Sequence, residues 1–268
     1  MKKTSVGASS RTPFKHWLLD QMLGKIIGAV STNKTPCNKC IHVVDLCAGD
    51  GFGHDGKYDS SPAIIRKHLE STHPVSLKIK DKYAHLYEIQ SETFARLSSR
   101  YGDVDSMNLF MNDSTGWTIK DIPTTQRDCI VIYADPNSVA TLPVTPELIH
   151  SLTNETLFLM TLGCNASGCK RRPREERNGW YDTAKMVADS IIPRHDLLLI
   201  WLTKDEHQWA YLMSTPKVWA IDQLRSAIKK GNTIWPKGVE GISMRTHGRS
   251  SLDEKLKELF FTKEENAK

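Results

Sequence analysis

Three observations predict an α/β fold built on a mainly parallel, seven-stranded sheet with helices on both faces. Short β-branched apolar runs alternate with amphipathic stretches five or six times along the 268 residues, the pattern of strands joined by crossover helices. The first of these runs lies in Ile41–Gly53 and passes directly into a turn with glycine at every second position, Gly49, Gly51 and Gly53. Such a turn lets a ligand approach the backbone closely. Acidic residues also stand at four successive strand ends, Asp45, Glu88, Asp113 and Asp135. Ligands of open parallel sheets bind outside the carboxyl ends of the strands, so this alignment points to a binding site.

Composition narrows the class. Hydrophobic residues make up 39% of the chain and charged residues 25%, as in a globular protein with a proper core. No apolar run approaches the ~20 residues of a membrane span, so no membrane partner is expected. Lys2 and Lys3 are not followed by the apolar core of a secretory signal, and a cytoplasmic location is expected. The net charge of +5 permits a nucleic-acid partner. Of the six cysteines, Cys37 and Cys40 have zinc-ligand spacing, with Cys164 and Cys169 as a looser second pair. Two free thiols in a loop are the expected alternative, and no metal is assigned. Cys47 and Cys129 read as small core residues.

In chain order, residues 1–12 are small and polar and read as a tail. Apolar spacing predicts a helix over Pro13–Val30, carried by Trp17, Leu18, Met22, Ile26 and Ile27. The first strand and glycine turn follow, then a long loop and a helix over Ala63–Ser71, with Ser61 as cap and Pro62 at its first position. Strands are predicted at Lys82–Ile89, Met107–Met111, Cys129–Ala134 and Thr156–Leu162. Phe94, Leu97 and Tyr101 mark the core face of an intervening helix, and Thr145–Thr153 is read as another. A helix at Trp180–Ser190 precedes paired strands at Asp196–Leu202 and Trp209–Ser214. Val218–Lys230 is read as a helix ended by Gly231, Asn232–Ser250 as irregular, and Leu252–Phe261 as a closing helix. Residues 13–220 form the expected main domain and 221–268 a helical extension.

Val43-Val-Asp-Leu-Cys-Ala-Gly-Asp-Gly51 resembles motif I of class I S-adenosylmethionine (SAM) methyltransferases. The resemblance implies a Rossmann-like class I methyltransferase fold with an antiparallel seventh strand, SAM as cofactor and methyl transfer as activity. Carried over position by position, it implies that Asp45, Cys47, Ala48, Gly49 and Gly51 surround the methionine part of SAM. Glu88 would bind both ribose hydroxyls, which a carboxylate can accept together, and Asn112 and Asp113 would meet the adenine. Asp135-Pro136-Asn137-Ser138 resembles motif IV, Asp/Asn-Pro-Pro-Tyr/Phe, which places Asp135, Pro136 and Asn137 at the catalytic position. The motif departs at Asn137, where the second proline is missing, and at Ser138, where the aromatic is missing. Lys15-His16 ahead of motif I and Ser60-Ser61-Pro62 after it resemble segments of the three-Cys-motif partner proteins, with Ser60 in place of a glycine.

A basic run follows the fifth strand: Lys170, Arg171, Arg172, Arg174 and Arg177, then Trp180 and Tyr181. Read as a loop, it offers cations to phosphates and aromatic faces to bases. This makes nucleic acid, DNA or RNA, the expected partner. Two alternatives stay open: an enzyme on the same fold that modifies nucleic acid without methylating it, and a non-catalytic nucleic-acid-binding or partner protein.

Overall fold

The computed structural model describes residues 12–31, 40–52, 59–74, 76–112, 117–122, 128–136, 143–153, 156–162, 173–191, 195–202, 210–216, 239–261 and 265. The chain divides into two compact units, one drawn from residues 1–114 and 123–133 and the other from 115–122 and 134–268. The expected boundary at 220/221 lies outside the described residues, as does the expected helix at Val218–Lys230.

In the first unit, strands β1 (Cys40–Asp45), β2 (Asp81–Glu88), β3 (Met107–Met111) and β4 (Cys129–Ala134) run in the order β3-β2-β1-β4, all parallel. Every residue of β1 and β4 is buried, as expected for strands covered on both faces. Helix α1 (Thr12–Ser31) buries Leu18, Leu19, Met22, Leu23, Ile26, Ile27 and Val30, each at most 4% exposed. Fully burying such a side chain contributes roughly 1.5–3 kcal/mol. Helix α2 (Ser61–Leu69) packs on α1, and its Lys67 and His68 both bond Asp20 of α1, at 2.9 and 2.8 Å. Helix α3 (Ser91–Tyr101) buries Leu97 and Tyr101, while Phe94 is only half-buried.

The cap of α2 sits one residue earlier than expected. The Ser60 hydroxyl, not that of Ser61, accepts the Ala63 N–H, and Pro62 falls in the first turn.

In the second unit, β5 (Thr156–Leu162), β6 (His195–Leu202), β7 (Ala210–Pro216) and β8 (Val239–Ser243) follow the order β5-β7-β6-β8 with antiparallel neighbours. The reversed β7 is the one implied by the methyltransferase resemblance. Helix α4 (Pro146–Ser151) is capped by the Thr145 hydroxyl, which accepts the Leu148 N–H. The class is α/β and Rossmann-like, with eight strands among the described residues instead of seven.

The extra strand, β8, lies in the segment expected to be irregular. Its Ser243 hydroxyl donates to the buried Asp196 at 2.8 Å, beside the ladder to β6. Helix α6 (Met244–Phe260) then begins well before the expected Leu252 and is broken at Gly248, whose φ of 81° only glycine adopts easily. Helix α5 (Arg174–Ser190) also starts earlier than expected. Among the described residues, no helix is long and apolar enough to cross a membrane.

Candidate functional site

The glycine turn hangs from three strands of the first unit. Asp45, 0% exposed, ends β1, and its Oδ1 accepts the Cys47 N–H at 3.0 Å. Leu46 N–H donates to Tyr133 O of β4 at 2.9 Å, and Ala48 N–H to Tyr87 O of β2 at 3.0 Å. The backbone beyond β1 is thus tied to both neighbouring strands before it turns. Cys47 is half-buried and Ala48 buried.

Gly49 (φ 64°) and Gly51 (φ 72°) both occupy the left-handed region, but they are glycine for different reasons. A Cβ at Gly49 would meet no atom of the described residues within 4 Å, so among them that side of the turn is open. A Cβ at Gly51 would stand 2.5 Å from the Tyr101 ring and 3.1 Å from Leu97. Gly51 therefore lets α3 pack directly beneath the turn. Its carbonyl accepts the Ser60 hydroxyl at 2.8 Å and the Tyr101 hydroxyl at 3.3 Å. Ser60, which stands where the resembled segments have a glycine, thereby joins the turn to the start of α2. Asp50 pairs with Arg96 of α3 at 3.5 Å and accepts the Phe52 N–H at 3.0 Å.

Glu88 ends β2, half-buried, with Oε1 accepting the Gln90 N–H at 2.8 Å. Its register partner on β3 is Met111, and exposed Asn112 follows. Sequence reasoning missed three large apolar side chains in this unit: Phe52, Ile89 and Met111 are 53%, 57% and 59% exposed. Phe52 lies within the glycine turn, with the Arg100 guanidinium 4.6 Å over its ring. The signal available was position, since each adjoins a residue already singled out: Gly51, Glu88 and Asn112. Asp113 lies outside the described residues.

The residues proposed for chemistry belong to the second unit. The Thr161 hydroxyl of β5 donates to Asp135 Oδ1, and it also lies 3.5 Å from Ala134 O. Pro136 is buried, and Asn137 lies outside the described residues. Thr161 faces Tyr211 across the antiparallel β5–β7 ladder. Burial, reinforced by the negative charge of Asp135, holds the Tyr211 phenol well above its ordinary pKa, so it stays neutral.

The first unit also contains a buried titratable group away from the turn. His42 Nδ1 and His85 Nε2 are 3.0 Å apart, and Cys40 Sγ lies 3.3 Å from His42 Nε2. Asp128 Oδ2 stands 3.8 Å from His42 Nε2. Both imidazoles are pushed below the usual histidine range. His85 falls to about 4, through burial first and then the charge of His42. Burial also lowers His42, against the opposing pull of Asp128. Cys37, the partner of Cys40 in the zinc spacing, lies outside the described residues.

The expected nucleic-acid interface is only partly described, because Lys170, Arg171 and Arg172 lie outside it. Arg174 is exposed in the first turn of α5, so the run is helical from that point and not a loop. Trp180 corrects the expectation of a stacking face: it is 1% exposed, on the stripe of α5 that faces the core with Ala184, Val187 and Ala188. Tyr181 is half-buried and meets Phe261 edge-on, with centroids 5.3 Å apart. Arg177 is likewise engaged within the fold. Its guanidinium donates to both carboxylate oxygens of Glu265 at 2.9 and 2.8 Å and to Phe260 O at 3.3 Å.

No family model and no curated protein matches the chain. Among solved structures, it is similar to an rRNA methylase from Streptococcus thermophilus, at 11% identity over 78% of this chain and 99% of that one, with a TM-score of 0.44. It is similar to protein LPL1258 from Legionella pneumophila str. Philadelphia 1, at 9% identity over 82% and 96% of the two chains, with a TM-score of 0.48. It is also similar to cofactor-bound Rv0187 from MTB, at 12% identity over 79% and 82%, with a TM-score of 0.47.

Proposed function

We propose that the chain is a SAM-dependent methyltransferase acting on nucleic acid. One observation carries this reading. The buried acid Asp45 leads into a turn whose open side is at Gly49, and the adjacent parallel strand ends in a second acid, Glu88. The residues fit the cofactor. A Cβ at Gly49 would project into the open space that a ligand's close approach needs. Glu88 presents a carboxylate suited to a vicinal diol, and exposed Phe52, Ile89 and Met111 offer apolar surface for a purine. When bound, SAM supplies the methyl group on a sulfonium.

The protein's own contributions follow from its side chains. Asp45 holds the turn in shape through the Cys47 N–H. Glu88 fixes the ribose, and Asp135 orients the nucleophile that accepts the methyl group, a gain in positioning above all. The three-Cys-motif partner reading rests on Lys15-His16 and Ser60-Ser61-Pro62. Nucleic acid as substrate rests on the basic run, of which Arg174 is exposed.

The test is transfer of labelled methyl from SAM to RNA, DNA and protein in parallel. Incorporation into RNA or DNA supports the reading. Incorporation into protein alone would move the substrate. SAM binding without incorporation would favour the non-methylating enzyme, and no SAM binding the non-catalytic binding protein.

A further inference from the structure

Thr161 is a polar residue in a strand where every residue is buried, and it is itself only 1% exposed. A hydroxyl in such a place is costly unless it is bonded, and valine would fill the same volume without that cost. Its closer acceptor is the Asp135 carboxylate just past the end of β4, with Ala134 O at 3.5 Å. Asp135 can rotate about two side-chain bonds. Thr161 is β-branched and stiff at χ1, on a strand held by its ladder to β7. The stiffer side chain of the pair therefore constrains the other. Tyr211, the register partner of Thr161, is buried beside them. Its phenol is held neutral by burial and by the neighbouring Asp135.

We propose that Thr161 is a positioning residue, whose hydroxyl aims the Asp135 carboxylate at the group that accepts the methyl. This rests on the methyltransferase reading and adds a residue that motif IV does not contain. The consequence is separable from folding, because serine keeps the donor while valine keeps the shape.

The experiment compares Thr161→Val and Thr161→Ser with the parent protein. It measures kcat and KM on the polymer the parent methylates, SAM affinity by calorimetry, and the Asp135 side-chain angles by crystallography. Misaiming a reacting group costs on the order of 10²-fold. Thr161→Val should therefore lose about that much in kcat, with KM and SAM affinity within about twofold of the parent. Its Asp135 carboxylate should be turned, and Thr161→Ser should recover most of the rate. If Thr161→Val turns over like the parent, this inference is overturned and the methyltransferase reading stands. If both variants lose rate and SAM affinity together, Thr161 is structural, and the inference is again overturned. A parent protein that transfers no methyl group overturns the methyltransferase reading and this inference with it.

Discussion

Replacing Gly49 and Gly51 by alanine, one at a time, should separate cofactor binding from folding within three residues of chain. Both positions have positive φ, 64° and 72°, and placing an L-residue there costs about 1–2 kcal/mol. At Gly49 little else opposes the methyl group among the described residues, none of which has an atom within 4 Å of it. Gly49→Ala should thus fold, losing about 1–2 kcal/mol, with the methyl standing in the space assigned to SAM. At Gly51 the methyl would meet the Tyr101 ring at 2.5 Å and Leu97 at 3.1 Å. Both side chains are buried on α3, so α3 must shift or the turn must move. Overpacking of this kind adds about 1–3 kcal/mol, for a total of about 2–5 kcal/mol. The assay is urea denaturation followed by SAM titration of the folded protein. The expected result is a stable Gly49→Ala variant with weakened SAM binding and a markedly less stable Gly51→Ala variant. A Gly51→Ala variant as stable as Gly49→Ala would refute the packing argument. Parent-like SAM binding by Gly49→Ala would refute the placement of the cofactor.

Two further predictions concern acid stability and nucleic acid. The folded-state pKa of His85, about 4, lies below the unfolded value of about 6.5. Its contribution is therefore fully present above the unfolded value and is lost as pH falls towards the folded one. Denaturation should show a loss of about 2 kcal/mol between pH 7 and pH 5, and His85→Gln should flatten that slope; an equal slope in the variant would assign the protons elsewhere. Changing Arg171, Arg172 and Arg174 together to alanine should weaken RNA or DNA binding and reduce its dependence on salt concentration. An unchanged salt slope would place the phosphate contacts on another surface.

The fold was legible where burial and residue type agree. β4 and β5 have the bounds their apolar runs predict, and every residue in them is buried; β3 has its predicted bounds too, but with Phe110 and Met111 exposed. It was illegible where a partner far along the chain decides. The first two turns of α5 are polar, Arg174 to Gly179. Arg177 joins the buried stripe with its guanidinium received by Glu265, 88 residues on, and by Phe260 O. Trp180 could have been placed from spacing alone, since Trp180, Ala184, Val187 and Ala188 share one helical face. The strand ends and glycines of the candidate site stood in the sequence. The reason Gly51 is glycine did not, because Tyr101 lies 50 residues away. The tie between Thr161 and Asp135 was hidden for the same reason.

Calorimetric titration of SAM into the parent protein and into Glu88→Ala tests the central claim most directly. The parent should bind SAM. Removing the Glu88 carboxylate leaves the ribose diol without its acceptors, which should weaken binding by about 1–3 kcal/mol, roughly 5- to 150-fold. A parent protein that binds no SAM, or a folded Glu88→Ala variant that binds it as tightly as the parent, would contradict the account.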